Sequence, residues 1–273
     1  MTVQPVLIRG RWQASQAASA FQSENPATGE ALPAVYPVSA WADCDAALSA
    51  AADAAAALRQ APPDGLAAFL DRYAERIEGR KDELVAMARD ETGSPVSPRL
   101  AEVELPRTTS QLRLAAAAAR EGSWRLATID SKSGIRSCYQ ALGPVCVFGP
   151  NNFPFAFGSI SGGDFAAAIA AGNPVIAKAN SSHPGTTRLF AEAAQAAADE
   201  TGLPPGTVQL LYRTGHVVGE RLVSDPRVGA VAYTGSRSAG LKLKTAADAA
   251  GKPIYLELSS VNPVVVLPGA LAE

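Results

Sequence analysis

Gly143 to Lys178 reads GPVCVFGPNNFPFAFGSISGGDFAAAIAAGNPVIAK, and this stretch decides the fold. Two short apolar runs, Val145–Phe148 and Pro174–Ala177, bracket an Asn/Pro turn and a helix-length, Ala-rich stretch at Gly163–Ala171. A short apolar run fits a strand buried on both faces, and the Ala-rich stretch between two of them fits a crossover helix. The rhythm continues downstream. Apolar runs at Val208–Tyr212, Ala230–Tyr233, Ile254–Leu258 and Val264–Leu267 are separated, for the most part, by helix-length stretches such as Thr186–Thr201 and Val217–Ser224. Strand, helix, strand at this spacing predicts βαβ units: an α/β fold with a Rossmann-like, doubly wound, mostly parallel sheet. Ligands on such sheets bind beyond the carboxyl ends of the strands, so the residues just after each apolar run are the ones to examine.

Upstream the pattern is different. Phe21–Tyr36, FQSENPATGEALPAVY, places a polar Asn-Pro-Ala-Thr-Gly-Glu turn between apolar ends, which predicts a hairpin. Ser39 is positioned to cap an Ala-rich helix at Trp41–Leu58. Pro62 and Pro63 open a second helix that runs to about Gly79, Lys81–Thr92 forms a third that stops at Gly93, and Arg99–Glu121 forms a fourth, broken or kinked at Pro106. Ser123–Leu142 is polar, poor in Ala and mildly alternating, which predicts extended chain leaving the helical core.

Composition narrows the class. The 273 residues carry 24 Lys+Arg against 26 Asp+Glu, so the chain lacks the basic excess of a nucleic-acid binder. The amino terminus is too short and polar for a signal peptide, and apolar stretches are interrupted well before bilayer-spanning length. Cys44, Cys138 and Cys146 are scattered, as expected of reduced thiols in a cytoplasmic protein. No CxxC spacing and only two histidines, His183 and His216, leave no visible metal site.

Four clusters follow predicted strands. Pro150-Asn151-Asn152-Phe153-Pro154 puts an Asn amide where it can donate to a developing oxyanion, although Asn also favours turns for its own sake. Lys178, followed by Asn180, Ser181 and His183, can reach a ribose or a phosphate, or simply face solvent. Tyr233-Thr234-Gly235-Ser236, with Gly240 four residues on, leads into a helix whose amino terminus favours an anion. Leu256-Glu257-Leu258 sets a carboxylate inside an apolar strand: a general base with a raised pKa if buried, or an ordinary Glu on the open face of an edge strand.

In this order and spacing the four clusters resemble the aldehyde dehydrogenase superfamily, whose motifs are an Asn-Phe-Pro turn, a strand-end Lys, Phe-Thr-Gly-Ser-x-x-x-Gly and Leu-Glu-Leu-Gly-Gly. The resemblance runs from about Ile8 to the last residue. It implies that Asn152 donates to the oxyanion, that Glu257 activates water as general base, and that Lys178 holds the adenosine ribose. It further implies that Gly235, Ser236 and the following helix start hold the pyrophosphate, with Pro150, Gly240 and Leu258 completing the cofactor site. The chain's Phe153–Phe157, Ser161–Asp164, His183–Thr186 and Val261–Pro263 are similar to the branch containing α-ketoglutaric semialdehyde (2,5-dioxopentanoate) dehydrogenases and related long-chain aldehyde dehydrogenases. The implied reaction is NAD(P)-dependent oxidation of an aldehyde, with a semialdehyde as the candidate substrate. Ser181 stands where many NAD-preferring members carry Glu; a neutral hydroxyl leaves room for a 2′-phosphate, so NADP is favoured over NAD.

The resemblance also implies a division of the chain. Residues 1–122 form the hairpin and helical part of the dinucleotide-binding domain, 123–142 the start of an oligomerisation arm, and 143–273 the Rossmann-like part. A homo-oligomer, dimer or tetramer, is implied for the complete enzyme. Two departures stand out. The Gly-Gly after Leu258 is Ser259-Ser260, which raises the question of backbone freedom and crowding near the nicotinamide. The family's nucleophilic Cys lies several tens of residues beyond the general-base Glu, outside this chain, and Cys44, Cys138 and Cys146 are read as packing residues. The chain alone is therefore expected to be inactive. A non-catalytic dinucleotide-binding protein and an acyl-CoA-forming reductase of the same superfamily remain as alternatives.

Overall fold

The computed structural model describes residues 2–271. Its centre is a seven-stranded sheet built from β1 (Val6–Ile8), β2 (Arg11–Gln13), β7 (Val145–Phe148), β8 (Val175–Lys178), β9 (Val208–Leu211), β10 (Ala230–Gly235) and β11 (Ile254–Leu258), in the order β11-β10-β7-β8-β9-β1-β2. The five strands from β7 onward pair in parallel, and β1 and β2 add an antiparallel edge next to β9. Every residue of β7 and β9 is buried, as short apolar runs covered on both faces should be.

The expected hairpin is present as β3 (Ala20–Asn25) and β4 (Glu30–Pro37), paired antiparallel. The helices are α1 (Trp41–Leu58), α2 (Pro63–Gly79), α3 (Lys81–Thr92), α4 (Leu105–Glu121), α5 (Gly163–Ala170), α6 (Pro184–Thr201), α7 (His216–Ser224) and α8 (Arg237–Ala249). A π-helical segment, Val96–Glu104, precedes α4, so the break falls just before Pro106, which occupies the first turn of α4. Helix stops follow the expected chemistry: Gly93 and Gly202 both take left-handed φ, 66° and 69°, at the ends of α3 and α6.

The core joins both parts of the sequence. Leu48, Phe69, Tyr73 and Leu84 of the first helices share one buried cluster with Phe155, Phe165 and Phe190 from the βαβ region. Tyr73 donates from its hydroxyl to the Ile160 carbonyl at 3.1 Å, so the α2 layer is tied to the loop after β7.

Two expectations are corrected. Val264–Leu267 is not a strand. It runs without sheet partners and its side chains are 56–84% exposed, because apolar composition does not make a strand without a neighbouring edge to pair with. Ser39 does not cap α1. Ala40 holds that position, Asp43 accepts from the Ala40 N–H at 2.9 Å, and the Ser39 hydroxyl accepts from the Tyr212 N–H at 3.1 Å.

Residues 123–142 are mostly exposed: a single 3-10 turn at Ser123–Arg125 leads into extended chain in which β5 (Thr128–Ile129) and β6 (Arg136–Ser137) form a small antiparallel hairpin. Among the described residues no helix is long and apolar enough to cross a membrane.

Candidate functional site

The strand order fixes where a ligand can lie. From β7 the chain winds outward through β8 and β9, then returns to β10 and β11 on the other side of β7. The switch point is therefore between β7 and β10, and the loops after these strands diverge there. Two hollows meet at this point. The larger, about 820 Å³, is lined by Pro150, Asn152, Gly235, Ser236, Glu257 and Leu258, together with Phe153, Phe157, Asp164 and Ser259. The smaller, about 230 Å³, is lined by Lys178, Ser181, Arg213, His216, Glu220 and Lys242. Tyr233 at the end of β10 lines both.

The Asn152 turn is held from two sides. Gly149 is packed so closely that a Cβ would lie 2.7 Å from the Ser159 amide nitrogen and 2.9 Å from the Phe157 carbonyl oxygen, so a side chain does not fit there. The Asn180 amide donates to the Gly149 carbonyl at 3.1 Å, and His183 Nε2 lies 2.9 Å from the Pro150 carbonyl. A carbonyl only accepts, so Nε2 carries the proton and Nδ1 does not, while the Thr187 hydroxyl donates to the His183 carbonyl at 3.0 Å. Burial lowers the His183 pKa, so the ring is a neutral strut.

On the other side, Glu104 is completely buried. One oxygen accepts from Arg99 Nε at 2.7 Å; the other accepts from the amides of Phe155 at 3.2 Å and Ala156 at 3.4 Å. Arg99 then donates to the Asn152 carbonyl at 2.7 Å. None of these bonds uses the Asn152 side-chain amide, which is exposed at the cavity wall. Its donors are free for a ligand.

Lys178 is half-buried at the end of β8, with Nζ 5.9 Å from the centre of the Phe148 ring. Loss of hydration, and secondarily the charge of Arg213, lower its pKa to about 8. It is therefore not the freely solvated lysine that sequence alone allowed. Ser181 shares its hollow, and three cations, Lys178, Arg213 and Lys242, face a single acid there, Glu220.

Ser236 is the N-cap of α8, its hydroxyl accepting from the Ala239 N–H at 3.4 Å, while its carbonyl takes the Gly240 N–H at 3.0 Å and the Tyr233 hydroxyl at 3.1 Å. The amides of Arg237 and Ser238, at the helix start, have no intrahelical acceptor and are available to an anion. Gly240 lines neither hollow. A Cβ there would lie 2.5 Å from Leu258 Cδ2 and 3.0 Å from Tyr233 Cε1, so this glycine serves the close packing of α8 on β10 and β11.

Glu257 lies on β11, the edge strand of the sheet, in register with Thr234 of β10, and its side chain is exposed. The side chain therefore lies on the open face of an edge strand, the plainer of the two readings the sequence allowed. Its charge acts on Asp164 across the same cavity: the Asp164 carboxyl is pushed above the usual range, first by lost hydration and then by Glu257. Ser259 also lines the cavity. Among the described residues the non-glycine positions with positive φ are Arg9 and Leu126, so Ser259 does not occupy a backbone conformation reserved for glycine.

No cysteine lines either hollow. Cys44 and Cys146 are buried, and loss of hydration pushes both thiols up, Cys44 to about 12. Cys138 is exposed in the 123–142 excursion.

Sequence reasoning missed Glu104, Arg99 and Arg213, and it gave Asn180 and Asp164 no individual role. Glu104 had a signal, an acid in AEVEL at a place that the helical pattern buries, but its partners lie about fifty residues away at Phe155 and Ala156.

The sequence model of the aldehyde dehydrogenase family matches residues 12–272. The chain is 43% identical, over 97% of its length, to α-ketoglutaric semialdehyde dehydrogenase 2 of Azospirillum brasilense, of which it covers 52%. It is 41% identical, over 74% of its length, to α-ketoglutaric semialdehyde dehydrogenase of Acinetobacter baylyi, of which it covers 40%. Among solved structures, aldehyde dehydrogenase C of Pseudomonas syringae, complexed with NAD+ and octanal, superposes with a TM-score of 0.83 at 28% identity, over 97% of this chain and 52% of that one. HpcC of Thermus thermophilus gives 0.85 at 26% identity, over 96% and 49%. The chain thus spans about half the length of the relatives it matches. With the four clusters gathered at one switch point and the family model matching nearly every residue, this chain belongs to the aldehyde dehydrogenase family.

Proposed function

We propose that this chain supplies the dinucleotide-binding half of an enzyme that oxidises an aldehyde, a semialdehyde by preference, to the carboxylic acid with NADP or NAD. The observation that carries the reading is the meeting of the Asn152 amide, Glu257 and the Ser236-capped start of α8 around one cavity at the β7/β10 switch point. The dinucleotide fits this chain on the same ground: free amides of Arg237 and Ser238 await an anion, and the two hollows on either side of Tyr233 suit the two ends of an elongated ligand. When bound, its nicotinamide supplies the hydride acceptor.

The chain's own residues have distinct tasks in this reading. Lys178 and Ser181 bind the adenosine ribose, and Ser236 with the α8 amino terminus binds the pyrophosphate. Gly235 and Pro150 line the cavity beside them, while Gly240 and Leu258 set the approach of α8 to the sheet. Asn152 donates to the oxygen on which negative charge develops, in a turn already fixed by Glu104 and His183, so no reorganisation is needed at that moment. Glu257 accepts the proton of the hydrolytic water. Exposed as it is, it gains the desolvated setting of a base only when the open side of β11 is covered.

The positive hollow around Ser181 supports NADP over NAD, because Lys178, Arg213 and Lys242 offer charge to a 2′-phosphate and no acid replaces Ser181. Dissociation constants for both dinucleotides check this; NAD binding tenfold tighter than NADP contradicts it. The names of the two α-ketoglutaric semialdehyde dehydrogenases support a semialdehyde. Residues 123–142 are proposed as the beginning of an oligomerisation arm, on the ground that Ile129, Ile135 and Tyr139 are 71%, 65% and 63% exposed there.

The 273 residues by themselves are proposed to bind but not to turn over, since no thiol reaches the cavity. NADP reduction by an aldehyde with this polypeptide alone would refute that. The same placement of the cysteines favours a second reading, a binding protein without catalysis, if no cysteine-bearing partner segment completes the cavity.

A further inference from the structure

Ser259 and Ser260, the serines that stand where the family motif has glycines, follow β11 directly, and both line the larger hollow. They do not face alike. Leu258 faces α8, since a Cβ on Gly240 of that helix would lie 2.5 Å from Leu258 Cδ2. Side chains alternate along extended chain, so Tyr255, Glu257 and Ser259 share the opposite face. Tyr255 and Glu257 are the exposed members of β11, and Ser259 is exposed after them. Its hydroxyl therefore lies on the same side as the Glu257 carboxylate, about 7 Å further along the chain. The Ser236 hydroxyl is occupied in capping α8, whereas that of Ser259 has no hydrogen bond among the described residues.

The two hollows differ in charge, and the difference orients an elongated ligand. The smaller carries Lys178, Arg213 and Lys242 against Glu220. The larger carries Asp164 and Glu257, and neither lysine nor arginine lines it. Phosphates suit the first hollow and the start of α8, and the oxidised nicotinamide ring, a cation, suits the second. That ring has one hydrogen-bonding group, its carboxamide, which offers both a donor and an acceptor. A serine hydroxyl can meet either, whereas an ionised carboxylate can only accept.

We propose that the Ser259 hydroxyl hydrogen-bonds the nicotinamide carboxamide and fixes the ring beside Glu257, a contact that a glycine cannot make. This deepens the dinucleotide-binding reading and rests on it.

The test is calorimetric titration of the protein, with any sequence that accompanies these 273 residues. It compares oxidised NADP with 2′-phospho-ADP-ribose, the same molecule without its nicotinamide, and NAD with ADP-ribose as a parallel pair. Ser259→Ala should weaken both complete dinucleotides about threefold to tenfold, the size of one neutral hydrogen bond. It should change the two nicotinamide-free ligands by less than about twofold. Ser259 is exposed, so the variant should keep the wild-type thermal midpoint. Ser260→Ala, on the other face, should leave all four ligands within about twofold. Equal loss on ligands with and without nicotinamide, no loss on any, tighter dinucleotide binding once the hydroxyl is gone, or the same loss in Ser260→Ala overturns the proposal and leaves the dinucleotide site standing. Wild-type protein that binds none of the four ligands overturns both.

Discussion

Replacing Glu104 by Ala removes the buried carboxylate behind the Asn152 turn, and the structure sets the size of the effect. Three donors lose their acceptor: Arg99 Nε at 2.7 Å and the amides of Phe155 and Ala156 at 3.2 and 3.4 Å. A buried donor left unsatisfied costs about 1–3 kcal/mol. The two amide bonds are long, so the lower end applies to them, and Arg99 is 35% exposed, so water recovers part of its loss. The sum is about 2–4 kcal/mol, a large part of a typical domain's stability. Urea unfolding of the chain, followed by circular dichroism, measures it. Glu104→Gln keeps an acceptor and a donor of the same shape and should lose about half as much. Because Glu104 supports the turn after β7 rather than the Lys178 hollow, NADPH affinity of folded Glu104→Ala should stay within about twofold of wild type. A stability loss below about 1 kcal/mol would refute the claim that this carboxylate holds the turn.

Further outcomes follow from the same geometry. Lys178 loses its charge as pH rises through about 8, so NADP affinity should weaken between pH 7 and 9, and the dependence should vanish in Lys178→Met. Stability should move in the opposite sense: the unfolded chain keeps that proton up to about 10.5, so folding gains between about 8 and 10.5, as a urea series across that window can show. Gly240→Ala should destabilise by about 1–3 kcal/mol through overpacking against Leu258 and Tyr233, read as a lower thermal midpoint. In native chain one thiol, Cys138, should react rapidly with a thiol reagent, and Cys44 and Cys146 only on unfolding; three fast thiols would contradict their burial.

The parallel strands were readable because burial on both faces demands continuous apolar runs such as VCVF, and their crossover helices because helix-length, amphipathic or Ala-rich stretches lie between those runs. Val264–Leu267 shows the weakness of that signal: it has the composition of a strand, yet no neighbouring edge accepts it. Asn152, Lys178, Ser236 and Glu257 were found because each follows or lies in a strand that the rhythm locates. Their supports were not. Glu104 and the Asn152 turn, like Ser39 and Tyr212, meet only through tertiary packing, and local sequence carries no record of which distant amide a buried side chain will satisfy. Gly240 was read as a cofactor contact, whereas space around it reveals a packing need. Glu257 sits where the motif puts it, but its environment depends on what lies against the open side of β11.

The proposed function places a nicotinamide dinucleotide across the carboxyl ends of β7, β8 and β10. The most direct measurement is a fluorescence titration of the 273-residue chain with NADPH, repeated with Lys178→Met and Ser236→Ala. Binding should be saturable and one-to-one, and should weaken about fivefold or more in each variant, as when a charged or polar ligand contact is removed. Absence of binding by the folded chain, or binding indifferent to both substitutions, would contradict it.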